Sequence, residues 1–263
     1  MWTRTRVIGA ALTLSLCCAT VYAADTKNID KTLPLSATGA ITLDAQSGSI
    51  QIQTWDRAEV EIHVQIVAAG TSADDRRRFN ETTVEIDGST DNVSIKSTNP
   101  ENDGWSLLSW LINVGWGNRP EIRYTITAPR TARWKISDHN STTEIHDVNA
   151  AVELDTHNGR VRVVNQGGPI ELTMHNGDAH VDFASFTRES HFETHNGNVE
   201  LTLPATTRFD LHSDGHNMSV RSDFPVMVRS SGSRDRALNG PVNGGGPGLW
   251  LTSHNGSFRV SSK

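Results

Sequence analysis

Val152–Phe183 reads VELDTHNGRVRVVNQGGPIELTMHNGDAHVDF. One unit occurs twice in it. Val152 and Leu154 alternate, His157-Asn158-Gly159 follows, and Val161 and Val163 alternate again. Ile170 and Leu172, His175-Asn176-Gly177, then Ala179 and Val181 repeat the pattern 18 residues later. Alternation with period two is the signature of strands with one face buried. Asn and Gly tolerate positive φ, so the chain can turn between the strands.

Working outward, the turn recurs at His139-Asn140-Ser141, His195-Asn196-Gly197, a distorted Gly215-His216-Asn217, and His254-Asn255-Gly256. Successive histidines are 18, 18, 20 and 21 residues apart, and a longer gap precedes His254. That gap holds the Gly-rich stretch 230–248, read as a loop between rungs. Ile41, Leu43, Ser47-Gly48, Ile50 and Ile52 form a weaker copy upstream. A fixed period near 20 residues predicts a solenoid whose units bury their apolar faces by stacking. The expected fold is therefore all-β: a single-domain, β-helix-like parallel β-solenoid over residues 24–263, with rungs of roughly 18–21 residues. The rival is a run of antiparallel hairpins, because Asn-Gly between alternating strands is also a hairpin signal. Recurrence of the turn and both flanking strands in one register favours the solenoid. So does the outward position three residues past each turn: Glu144, Arg162, His180, Glu200 and Arg259 largely alternate in sign, which suits neighbouring strands.

Between the repeats, Val60, Ile62, Val64 and Ile66 read as a strand, as do Val84–Ile86 and Val93–Ile95 around Asp87-Gly88. Ser72 is placed to cap a short helix through Asp74 to Glu81. Residues 99–120 interrupt the pattern. Trp105, Trp110 and Trp116 lie there with Leu108, Leu111 and Ile112, and Ser106, Ser109 and Asn113 share one helical face. This Trp-rich helical insert is too short to span a bilayer. It is expected either to cap the coil or to dock on a partner or a membrane surface through its Trp residues.

Residues 1–23 read as a signal peptide: Arg4 and Arg6, an apolar run from Val7, and Val21-Tyr22-Ala23 as a cleavage site. Cys17 and Cys18 fall inside it, so the mature chain carries no disulfide. Loss of Arg4 and Arg6 takes the formal charge from -6 to -8. With no basic block, that balance argues against nucleic acid as a partner.

The chain resembles the bacterial putative-adhesin family, a domain-of-unknown-function group. Three features carry the resemblance: Gly39-Ala-Ile41 leading to Gly48-Ser-Ile-Gln-Ile-Gln-Thr-Trp55-Asp56, the strand ending at Ala128-Pro129, and the serial turn units, including Leu201-Thr-Leu203-Pro204. The resemblance runs from about Ile29 to Ser261 and implies a parallel β-solenoid at the cell envelope, without an established activity. Histidine before Asn-Gly and the Trp-rich insert depart from the family pattern.

The expected function is that of an exported, non-enzymatic envelope interaction or adhesion-type protein, in the periplasm or at the cell surface. Its partner would be an envelope protein or a glycan, with no cofactor required. Two other readings compete. Imidazoles are common transition-metal ligands, so His157, His175 and His195 are candidate metal ligands in a periplasmic metal-binding protein. The bland reading of the same column is a copied turn element with stacked rings and hydrogen-bonded Asn side chains. A carbohydrate-active β-helix enzyme would need two opposed carboxylates. Asp155, Glu193, Glu153 and Glu171 are outward-facing candidates, but each is more simply a solvated strand residue, and no catalytic residue is assigned.

Overall fold

Eighteen residues of extended strand would span about 60 Å. Yet Ile170 lies directly beside Val152 in a parallel ladder. Each 18-residue unit therefore folds back on itself, and the corner residues decide where. The structure, a computed structural model, describes residues 25–98, 119–227 and 238–263. Its strands in chain order are β1 (Thr26–Pro34), β2 (Ala40–Trp55), β3 (Glu59–Val67), β4 (Thr83–Gly88), β5 (Asn92–Thr98), β6 (Glu121–Pro129) and β7 (Arg133–His146). They continue with β8 (Val152–Gln166), β9 (Ile170–Phe183), β10 (Ser190–Leu203), β11 (Phe209–Gly215), β12 (Met218–Ser222), β13 (Gly240–Val242) and β14 (Gly248–Ser262). One helix, α1, spans Ala73–Glu81.

Each central rung is one long strand bent in the middle. In β8, Val152, Leu154, Thr156, Val161 and Val163 are all buried. Residues five apart on a straight strand point to opposite faces. Thr156 and Val161 both point inward because residues 157–160 form a corner that reverses the alternation. Pairing passes straight through that corner: Asn158 sits opposite Asn176, and Gly159 opposite Gly177. The expected turn between two strands is thus a bend inside a single one. The antiparallel hairpin rival fails, since Val152–Thr156 pairs parallel with Ile170–Met174 on the next rung.

The sheet order is β1-β3-β6-β2-β7-β8-β9-β10-β14-β11-β13. From β2 to β14 the ladder is parallel and in register, with Trp134 beside Val152, Val152 beside Ile170, and Glu171 beside His191. Next comes a departure from the sequence reading. Leu249 of β14, not β11, follows Ser190 of β10. β11 and β12 then pair with the outer edge of β14, along its first and second legs. The last strand of the chain is inserted into the stack. Part of the stretch read as a Gly-rich loop, 230–248, forms β13, which closes on β11 antiparallel. Local patterning could not reveal this order, because β10 finds an equivalent alternating partner in either strand.

At the other end β2 is indeed the weaker copy, with Ile41 beside Trp134 and Ile50 beside Thr143. Its outer edge is covered by antiparallel structure. The β4–β5 hairpin takes the first leg, and β6, β3 and β1 take the second. This covers the edge that an open stack would offer to other chains. Ser72 caps α1 as expected, in a reciprocal pair with Asp75. At the helix C-terminus the Lys27 ammonium donates to the carbonyls of Phe79 (2.6 Å) and Asn80 (3.0 Å), completing orphan acceptors of the last turn. Residues 1–23, read as a signal peptide, and Trp105, Trp110 and Trp116 lie outside the described residues.

A single apolar core runs along the stack. Its largest fully buried members are Tyr124, Phe183, Phe192, Phe209 and Phe258. Phe183, Phe186, Phe192, Phe209 and Phe224 meet edge to face at the C-terminal end.

Candidate functional site

The corner sequence builds three parallel columns. The residue after the last inward position of the first leg is histidine, and it points to solvent on every repeat rung. In-register pairing then stacks the rings. Centroids lie 4.9 Å apart for His139–His157, 4.7 Å for His157–His175 and for His175–His195, and 4.8 Å for His195–His254. Planes in this run diverge by no more than 5°. His216 completes the column against His254 at 5.9 Å. The spacing is that of the strands themselves.

One residue further on, the asparagines form an amide ladder. Asn158 donates to Asn140 at 2.9 Å, Asn176 to Asn158 at 2.9 Å and Asn196 to Asn176 at 3.1 Å. Asn255 donates to Asn196 at 3.2 Å and Asn217 to Asn255 at 3.0 Å. Each amide is both donor and acceptor, so one residue type satisfies itself along the whole stack. Glycine then permits the rungs to close up. A Cβ on Gly177, whose φ is +136°, would lie 1.9 Å from the Gly159 carbonyl oxygen, and one on Gly197 would lie 2.1 Å from that of Gly177.

The inward residue before each histidine is Asp138, Thr156, Met174, Thr194 and Ser253 on successive rungs. Asp138 is buried beneath the first corner. It accepts from the Ser141 amide at 2.9 Å, the Ser141 hydroxyl at 2.5 Å and the Thr156 hydroxyl at 3.1 Å. Burial pushes its carboxyl above the ordinary carboxylate value, and these hydrogen bonds only partly oppose that.

The column reproduces the structural reading of the His-Asn-Gly motif: stacked rings beside hydrogen-bonded amides. It places His157, His175 and His195 on consecutive rungs with nearly parallel ring planes. Among the described residues no cluster of three ligating side chains converges.

The carboxylates proposed for catalysis fall on two neighbouring outward columns. Glu153 and Glu171 are opposite one another, with Glu153 paired to Lys135 at 2.5 Å. Asp155 and Glu193 are separated by the rung of Thr173. All four side chains face solvent. The column of Glu144, Arg162, His180, Glu200 and Arg259 is observed as expected, with Arg162–Glu144 at 3.8 Å and His180–Glu200 at 3.3 Å. Its sign alternation stops at Arg259, which lies opposite Arg221 and reaches Asp223 at 3.8 Å.

One feature went unread in the sequence. Trp250 is exposed and stacked between His212 (4.0 Å) and His191 (5.9 Å). Glu189 bonds His191 at 2.9 Å, and that contact, with a second to Trp250, holds its carboxyl below the usual range. Trp250 sits between Leu249 and Leu251 in a plain alternating pattern, so only the inserted position of β14 brings it beside two histidines distant in sequence.

Residues 135–241 match the family described as Toastrack DUF4097. That stretch begins in the first repeat rung and ends in β13. A crystal structure of a putative cell adhesion protein from Clostridium sporogenes is similar at a TM-score of 0.51 and 10% identity, over 90% of this chain and 100% of that one. A putative adhesin from Bacteroides fragilis aligns over 90% of this chain and 97% of its own at 8% identity and a TM-score of 0.31. A putative lipid binding protein from Parabacteroides distasonis does so over 90% and 98%, at 12% identity and a TM-score of 0.30. No curated protein matches the sequence. The resemblance to the putative-adhesin group stands, and the first of these structures shares the fold.

Proposed function

We propose that this chain is an exported, non-enzymatic interaction module of the cell envelope, and that its working part is the side of the rung stack. The observation that carries this reading is the register. In-register parallel pairing sets equivalent residues in straight exposed columns along at least six rungs, from His139 to His216. Such a surface matches a long partner, an envelope protein or a glycan, lying across several rungs. Small-molecule sites are instead concave and mostly apolar. The Clostridium structure, described as a putative cell adhesion protein, is similar in fold, and fold alone does not fix function. Export rests on the leader, and peripheral membrane contact through Trp105, Trp110 and Trp116 belongs to the same proposal.

The experiment is capture by the mature protein from intact envelopes, beside a turnover assay on a polysaccharide panel. A protein or glycan retained by the wild type and lost from an Arg162→Ala/Glu200→Ala variant supports an interaction surface on the stack. Turnover of any polysaccharide would overturn the non-enzymatic reading.

A further inference from the structure

Where the rungs begin, one outward column has a dip in it. Arg133, Ala151, Pro169 and Glu189 occupy it on successive rungs, each one residue ahead of the inward column Trp134, Val152, Ile170 and Ser190. Long side chains thus stand at both ends of a trough floored by two small residues, about 14 Å long at three strand spacings. The loops that lead into these rungs differ in length. Residues 147–151 and 167–169 are short, and 184–189 is the longest. That last loop brings Arg188 to the Arg133 end, where both arginines line one hollow with Thr38, Thr131, Asn149 and Ala151.

Other arginines nearby meet carboxylates, Arg130 on Asp56 at 2.7 Å and Arg123 on Glu121 at 2.9 Å. Arg133 and Arg188 do not. Among the described residues neither side chain has a hydrogen bond or ion pair, and no other charged residue lines their hollow. The side-chain amide of Asn149 is likewise unbonded, whereas the Thr131 hydroxyl donates to the Ala37 carbonyl at 2.6 Å. Two unpaired guanidinium forks beside a free amide are donors without an acceptor, on a chain whose formal charge is -6. A planar carboxylate is the acceptor that matches such forks. Along the trough the charges have the other sign. Lys135 is paired to Glu153 at 2.5 Å and His191 to Glu189 at 2.9 Å. Glu171 also lines the trough, and its carboxylate has no partner among the described residues.

We propose that Arg133 and Arg188 form a clamp for the carboxylate of a uronate-bearing glycan, whose sugar ring lies over Ala151 and Pro169. The clamp rests on the glycan branch of the envelope-interaction reading and gives that branch a place and a chemistry. Asn149 adds a neutral donor to the carboxylate, and ring hydroxyls donate to Glu171. The carboxylates of the trough decide against a denser anion. An anionic bilayer presents a continuous plane of charge, and Glu153, Glu171 and Glu189 would be held against it. A uronate polymer instead separates its charges by neutral hydroxyls, so one carboxylate can enter the hollow while the rest of the sugar crosses the acidic trough.

The test is calorimetric titration of the mature chain with oligogalacturonate, and with its methyl ester, which keeps the skeleton and removes the charge. The acid should bind, more weakly as salt is raised, and the ester should bind at least about tenfold less tightly. R133Q/R188Q, altered only at exposed positions, should lose a similar factor, while R160Q, on the second leg, should bind as the wild type does. The ester comparison needs no variant, so it decides the matter even if R133Q/R188Q fails to fold. Absence of binding to the acid, equal binding of acid and ester, or undiminished binding by folded R133Q/R188Q would each overturn the clamp. So would tighter binding of inorganic phosphate or of phosphatidylglycerol vesicles than of the oligogalacturonate. An envelope partner captured equally by wild type and R133Q/R188Q, but lost from Arg162→Ala/Glu200→Ala, would overturn the clamp and leave the interaction module standing.

Discussion

Asn176 donates to Asn158 and accepts from Asn196, whereas Asn140 at the end of the ladder takes part in one such bond. A net contribution of about 0.5–1.5 kcal/mol per hydrogen bond makes Asn176→Ala cost about 1–3 kcal/mol. Asn140→Ala should cost about half as much. Urea unfolding of the two variants checks this, and equal costs would mean that the number of ladder bonds does not set the loss. Gly177 offers a harsher test. Alanine there meets both a φ of +136° and a carbonyl oxygen 1.9 Å from its Cβ. At Gly244, with φ +96°, the nearest atom is the flexible end of Arg208 at 3.3 Å. Gly177→Ala should lose more than about 3 kcal/mol, and Gly244→Ala only the smaller cost of backbone strain. At this scale the sequence was legible where a residue repeats at a fixed interval. The ring stack and the amide ladder both follow from 18-residue spacing. It was not legible why glycine is needed: Gly159 and Gly177 look identical, yet close approach acts at both, while positive φ is recorded only at Gly177.

Elements outside the repeats hold together through ordinary local chemistry, which is why α1 could be read from Ser72 onward. Ser72→Ala removes the acceptor for the Asp75 amide and should cost about 0.5–2 kcal/mol. Hydrogen exchange should show that loss as faster exchange within Ala73–Glu81, with the rungs unchanged. The β1–β3 pair adds a pH-dependent tie. His63 on β3 bonds Asp30 on β1 at 2.6 Å, and this bond, helped by Glu61, raises the imidazole above its ordinary value. A raised value means that the folded state holds the proton more tightly than the unfolded chain. The contribution is therefore complete below the ordinary imidazole range and is lost as pH rises through the folded value. His63→Asn should flatten that part of the stability profile. With His63 half exposed the effect is small, so the comparison is between melting temperatures at matched pH. Nothing in either strand announces this pairing, because Asp30 and His63 meet only once β3 has folded back on β1.

At the scale of the molecule, the order of strands is what the sequence withheld. Units spaced 18 and 20 residues apart stack in sequence order, because the shortest available loop leads to the next rung. After β10 that rule stops. β14 arrives 59 residues later and takes the place beside β10, and β11, β12 and β13 close the end beyond it. The chain terminus is thus an interior rung. It buries Leu249, Leu251, Phe258 and Val260 and carries His254, Asn255 and Trp250 into three side-chain columns. Removal of residues 248–263 should therefore do more than shorten the stack. It would leave β10 with an uncovered edge and separate the β11–β13 cap from the rest. Burial of each large apolar side chain is worth about 1.5–3 kcal/mol, so the four together, about 6–12 kcal/mol, are comparable with the whole stability of a typical domain. The truncated chain should lose its cooperative melting transition and associate through the exposed β10 edge. The point variant Trp250→Ala, which removes only an outward side chain, should retain the transition. Thermal melting followed by circular dichroism, with light scattering for association, separates the two. A truncated chain that melts as sharply as the wild type would show that β14 is an accessory strand and that the stack up to β10 is the folding unit.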